Sequence, residues 1–208
     1  MRRILFLLFL ALWCCATSLK AQDTVYVVKP RFYFQLGVGY PLPYNRQPAA
    51  NAAVVLETKR NFAYGIRYFE HLYLHQVPSS DHVDKKYVPN HEYREINLSV
   101  GKIMALNKKL FLTTSVGPSY VNYIMPYNVK KVPSPNNSWG GFFNSSIYEY
   151  EIRRFHLLGV SLRGDLAFYP RRKVGMSLGG FLSLNQKNTQ GGIDLNLLIG
   201  GTLREKNH

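Results

Sequence analysis

Cysteine is nearly missing from this chain, and the two it has, Cys14 and Cys15, are neighbours close to the start. They stand inside a segment that reads as a secretory signal: a basic Met1-Arg2-Arg3, an apolar stretch from Ile4 to Cys14, and a small residue, Ala21, ahead of Gln22. That apolar stretch is shorter than the about 18 residues a membrane helix needs. Cys15 follows Trp13-Cys14, where a lipoprotein would carry a small residue, so lipidation is not expected. With residues 1–21 removed as a signal peptide, the chain keeps 208 − 21 = 187 residues and no cysteine. Disulfides and cysteine-bound metals are then excluded.

Two more scarcities matter. No apolar run after Ala21 approaches membrane-helix length. Acids are few as well, 12 Asp and Glu against 26 Lys and Arg, for a net charge of +14. Losing Arg2, Arg3 and Lys20 with the signal takes this to +11. An exported cation-rich chain points away from nucleic acid and towards anionic lipid headgroups or lipopolysaccharide phosphates.

What the chain does have is a period of two. Phe32, Phe34, Leu36 and Val38 alternate with Tyr33, Gln35, Gly37 and Gly39. The pattern returns over 62–69, 95–101, 110–119, 158–168, 174–184 and 192–200, with a fainter run from Ala52 to Thr58. Such alternation predicts strands with one apolar and one polar face, about eight in all. Short basic connections (Lys59-Arg60-Asn61, Asn107-Lys108-Lys109, Pro170 to Lys173) take turns with longer ones (Pro41 to Ala50, His75 to Asn90, Met125 to about Tyr150, Gln186 to Gln190). An up-and-down membrane barrel has this layout, with short periplasmic turns and long outer loops. Ile147 to Phe155 fits neither kind cleanly and reads best as an extension of the sixth strand above the membrane.

Alternation alone also describes a soluble barrel with its apolar face turned inward. The polar face separates the two. A watered face carries long Lys and Glu side chains, whereas this one carries Gly, Ser, Thr, Asn and Gln with a few ions. Small polar groups suit a crowded lumen. Rings near the proposed strand ends, Phe32, Tyr40, Phe62, Tyr64, Tyr120, Tyr123, Phe168 and Tyr169, suit interfacial girdles. The expected fold is therefore all-β: an up-and-down antiparallel transmembrane β-barrel of about eight strands after a cleaved signal peptide. The divisions are 1–21 signal peptide, 22–30 periplasmic segment, 31–203 outer-membrane barrel and 204–208 tail.

From Arg31 to Leu203 the chain resembles the small outer-membrane β-barrel proteins of the OmpA/OmpX-like and PorT-like kind. The resemblance rests on the Lys20-Ala21-Gln22 signal end, on Gly-containing strands such as Gln35-Leu36-Gly37-Val38-Gly39-Tyr40, and on Gly192-Ile193-Asp194-Leu195-Asn196-Leu197. It implies a bacterial outer-membrane location in a Gram-negative envelope, and a secretion-accessory role for a PorT-like member. Family members commonly close on a terminal aromatic. Here Leu203 is the last hydrophobe, followed by Arg204-Glu205-Lys206-Asn207-His208.

Chemistry is sparse. Arg67, Glu95, Arg163, Asp165 and Asp194 fall on the inner face and should form a paired charge network, with Gln35, Asn97 and Asn196 completing it. An eight-stranded interior is just filled by side chains, so such a network would plug the lumen. His71, His75, His82 and His91 with Asp81 and Asp84 lack metal-ligand spacing, so neither a metal nor another cofactor is expected. Ser79, Ser80, His82 and Asp81 or Asp84 hold the ingredients of a hydrolase but sit adjacent in one loop, and no Gly-x-Ser-x-Gly occurs. Basic loop residues, Lys85, Lys86, Lys130, Lys131, Arg153 and Arg154, interleave with Tyr87, Tyr127, Trp139, Phe142 and Phe143. They are the candidates for contact with lipopolysaccharide or envelope proteins. The reading is a non-enzymatic structural or interaction barrel. A lipid-modifying enzyme and a narrow diffusion pore remain the alternatives.

Overall fold

In the computed structural model, residues 30–42, 47–74, 88–133, 146–170 and 173–202 are described. The segment 1–21 expected to be a signal peptide, most of the second long connection and the expected tail 204–208 lie outside them. Eight strands form one closed antiparallel barrel: β1 (Arg31–Leu42), β2 (Ala49–Glu57), β3 (Phe62–Leu74), β4 (Asn90–Ala105), β5 (Leu110–Pro133), β6 (Ser146–Phe168), β7 (Val174–Asn185) and β8 (Gln190–Thr202). Each strand pairs with its sequence neighbours, and β1 pairs with β8 to close the cylinder.

One end carries the short turns and both termini of the barrel. At the β2–β3 turn, Thr58 N–H donates to Phe62 O at 2.8 Å, and Asn61 takes the left-handed backbone that the tight reversal needs (φ 60°). At the β4–β5 turn, Asn107 Oδ1 accepts from the amides of Lys109 and Leu110, both at 2.8 Å, which is the local bonding that favours Asn in turns. The opposite end carries the long connections.

The faces are inside-out. Leu36, Val38, Ile66, Leu98, Leu178 and Leu195 are among many large apolar side chains that point outward and stay exposed. Gln35, Asn51, Glu95, Asn97, Ser177, Asp194 and Asn196 are buried inside. On β4 the apolar stretch is bounded by Arg94 towards the loop end and Lys102 towards the turn end, both outward-facing. Counted with both limits that stretch is nine residues (94–102), the lower end of the about nine to eleven a tilted strand needs to cross a bilayer. No helix among the described residues is long and apolar enough to cross one.

Two expectations change. The third long connection is not a loop from Met125 to Tyr150, because β5 runs to Pro133 and β6 begins at Ser146. Ile147 to Phe155 is indeed the extension of β6. The β5 half escapes a search for alternation because a bulge shifts the register between Tyr127 and Lys130, where Asn128 has φ 54°. An inserted residue flips every later side chain to the other face, so the period of two breaks. Second, Tyr123 and Tyr169 do not join an outer girdle. Tyr123 is buried in the interior near the loop end, and Tyr169 packs into the interior at the turn end. Phe32, Tyr40, Phe62, Tyr64, Tyr120 and Phe168 do face outward.

Candidate functional site: a sealed lumen and a projecting ribbon

The interior is layered. At the turn end, Tyr33, Ala53, Val55, Ala63, Ile103, Phe111, Ala167 and Leu198 pack together, with Tyr169 against them. The Arg31 guanidinium lies 4.2 Å over the Phe111 ring and 4.6 Å over the Tyr169 ring. At the loop end, Ala49, Phe69, Tyr93, Val121 and Tyr123 form a second apolar plug, joined by Phe155 and Phe181. Between the plugs sits a layer of ions and amides.

That layer is organised around Arg163. Its Nε and Nη2 donate to Asp165 at 2.6 and 2.7 Å, and its Nη1 and Nη2 donate to Asp194, both at 2.7 Å. Forked donation to two carboxylates matches the planar geometry of guanidinium. Asp194 also accepts from Asn51 Nδ2 at 3.2 Å and Asn196 Nδ2 at 3.0 Å. Arg67 donates to Asn51 Oδ1 and Gln35 Oε1, each at 2.8 Å. Two cations and two anions thus cancel within one hydrogen-bonded group. Burial of charge is tolerated only when it is paired in this way.

Of the five inner charges expected to meet, the structure brings together Arg67, Arg163, Asp165 and Asp194. Glu95 stands apart in the loop-end plug, where Tyr93 Oη donates to it at 2.9 Å and also contacts Ser183 Oγ at 2.9 Å. Asn97 is buried but adds no bond to the group. Two members could not be picked out beforehand. Asn51 joins the two arginine clusters, yet lies in the faint strand β2. Gly179 leaves the room the ions occupy: a Cβ there would come within 2.3 Å of Asp194 Oδ1 and 2.5 Å of Asp165 Oδ1. The hollow beside this layer is about 30 Å³, lined by Tyr33, Arg67, Ser115, Asp165 and Ser177 among others. Such a volume suits one or two waters and no larger ligand.

The outer wall has its own polar row. Register aligns Glu70, Arg94, Asn122 and His156 across β3 to β6, all outward-facing at the loop-end limit of the apolar band. Arg94 bonds Glu70 at 2.8 Å and Glu92 at 3.2 Å, and Tyr120 Oη meets His156 Nδ1 at 2.6 Å.

Beyond that row β5 and β6 continue as a two-stranded ribbon. The last β4–β5 pair is Glu92 with Ile124, and the first β6–β7 pair is Gly159 with Asn185. Four of the expected loop cations, Lys130, Lys131, Arg153 and Arg154, come together on this ribbon and are exposed. Lys130 stands opposite Glu149 and Lys131 opposite Tyr148, while the Arg153 guanidinium lies 3.3 Å over the Tyr127 ring. Lys85, Lys86 and Trp139 lie outside the described residues, as do Ser79, Ser80, Asp81, His82 and Asp84. No group of three metal-binding side chains occurs among the described residues.

No protein-family model and no curated protein sequence matches the chain. Solved structures do. Ail, the attachment invasion locus protein of Yersinia pestis, superposes with a TM-score of 0.54 at 8% identity, covering 83% of this chain and 99% of that one. Ail in complex with the heparin analogue sucrose octasulfate gives 0.52 at 8%, with the same coverage. The N-terminal β-barrel domain of Pseudomonas aeruginosa OprF gives 0.52 at 9%, covering 83% of this chain and 98% of that one. At such identities the likeness is one of fold. The chain is an eight-stranded barrel with the fold of the small bacterial outer-membrane β-barrels, and its apolar outer wall is what that fold presents to lipid.

Proposed function

We propose that this protein is a non-enzymatic outer-membrane barrel with a plugged polar lumen, acting as a structural and interaction protein through the basic and aromatic ribbon at its loop end. The observation that carries the proposal is the contrast between a filled interior and a ribbon that rises past every other strand among the described residues. A filled interior gives a solute no path and a reaction no cavity. A ribbon with exposed Lys130, Lys131, Arg153 and Arg154 offers charge-assisted hydrogen bonds to phosphate or sulfate groups. Glu149 and Glu151 share that ribbon, so its four cations and two acids leave a net +2 (4 − 2). The partner is an anionic saccharide or lipopolysaccharide headgroup, or an envelope protein with such a surface. Ail was solved with a sulfated heparin analogue, which is the same ligand chemistry.

The test is binding of the folded protein to immobilised lipopolysaccharide and to a sulfated saccharide across a salt series. The combined K130A/K131A/R153A/R154A variant should bind at least tenfold more weakly, and its affinity should depend less on salt. Unchanged binding would remove the ribbon from the reading.

A further inference from the structure

The ribbon has an open side. Strand β6 pairs with β5 along its whole length but meets β7 only from Gly159 onward. Among the described residues, no strand pairs with the other edge of β6 over 146–158. A free edge is a template for another strand.

Prolines on β5 fix which backbone groups face that edge. Pro126 pairs with Ile152 and Pro133 with Ser146. Proline has no N–H to give, so these pairs are non-hydrogen-bonded ones, in which the partner's N–H and C=O turn away from β5. The same holds lower down, where Pro118 opposes Val160 and Val160 is paired on its far side with Leu184. Ile152 and its even-numbered neighbours therefore direct their amides to the open edge.

The side chains along that edge are self-complementary. When two β6 edges lie antiparallel with Ile152 on the two-fold axis, Glu151 of each copy stands opposite Arg153 of the other. Tyr150 then meets Arg154, Tyr148 meets His156, and Ile152 exchanges both backbone bonds with its own copy. Moving the axis one residue sets Glu151 against Glu151, or Arg153 against Arg153. With Glu151 on the axis Glu149 would meet Arg153, but only the Ile152 register opposes unlike charges without also setting like charges opposite each other, and like charges directly opposite are destabilising. Tyr150 and Ile152, the residues at the centre, are 42% and 61% exposed.

We propose that this edge binds a second copy of the same chain, strand to strand, with Ile152 at the two-fold. The pairing is antiparallel. Ribbons rising from one membrane run the same way, whereas ribbons from two facing membranes run in opposite directions, so the contact joins apposed membranes. It rests on the ribbon standing outside the membrane, as in the function proposed above.

The test uses the mature protein in phosphatidylcholine vesicles, with donor and acceptor fluorophores on separate vesicle populations. Heat-dependent gel mobility and protease access to the ribbon verify the barrel and its orientation independently. Wild-type vesicles should associate. Glu151→Arg alone and Arg153→Glu alone should each reduce association at least tenfold, because each variant faces itself with like charges. Vesicles bearing E151R should associate with vesicles bearing R153E, and the double variant E151R/R153E should recover association with itself. Ile152→Pro removes an edge amide that β5 does not use, and should also abolish association while the barrel persists. Equal association by wild type and both single reversals would overturn the proposal, as would association of wild-type vesicles with protein-free ones or contact confined to one vesicle.

Discussion

Arg153 and Arg163 lie on one strand, and little else about them is alike. Arg163, in the lower half of β6, has neighbours on both sides of its strand and holds Asp165 and Asp194 with a side chain only 7% exposed. Arg153, in the upper half, has β5 alone beside it among the described residues and lies exposed over the Tyr127 ring. The same guanidinium serves two ends. Where the wall is complete and water is excluded, charge pairing decides whether the fold survives. Where the strand has one neighbour, charge is cheap to rearrange and decides only what the surface meets.

The two halves of β6 should differ most when Asp194, the partner of Arg163, is removed. Asp194→Ala would leave Arg163 with one carboxylate, and Asn51 and Asn196 with an acceptor lost. The expected cost is about 3–5 kcal/mol, read as the urea midpoint of unfolding from lipid. A loss under about 1 kcal/mol would mean that the network does not hold the barrel. Next comes Gly117→Ala in β5, where a Cβ would stand 1.7 Å from the Leu98 carbonyl oxygen. Backbone must shift to admit it, at about 1–3 kcal/mol by the same assay. On the ribbon, Arg153→Ala should cost about 0.5–1 kcal/mol, the worth of an exposed cation–π contact. If it cost as much as Asp194→Ala, the two halves of β6 would not differ as described. Smallest is Glu70→Gln on the outer row, where an exposed pair with Arg94 is worth about 0–1 kcal/mol. Salt should erase what effect there is.

The wall was legible in the sequence because lipid outside and ions inside demand opposite side chains at successive residues. Leu195, Asn196, Leu197 and Leu198 show both the rule and its limit. The first three alternate, but Leu198 faces inward into the turn-end plug. The same plug takes Ala53 and Val55. Both faces of β2 are therefore apolar there, which is why its alternation is faint and why Asn51 could not be recognised as a network member. The upper ribbon was hidden for another reason: one bulged residue at Asn128 puts the two halves of β5 out of phase. Which inner charges bond to which depends on register around a closed cylinder. Glu95 looks in sequence like the other four, and only the structure sets it beside Tyr93.

Which face of the wall meets lipid separates a membrane barrel from a soluble one. Leu98 and Ser99 are adjacent on β4, one exposed on the outer wall and the other turned inward. A chain beginning at Gln22 has no cysteine, so Leu98→Cys and Ser99→Cys each place a single thiol for an environment-sensitive fluorophore. In bilayers with spin-labelled acyl chains, the reporter at 98 should be strongly quenched, and position 99 should resist labelling or stay unquenched. Quenching at 99 and not at 98, or at neither, would contradict the inside-out barrel.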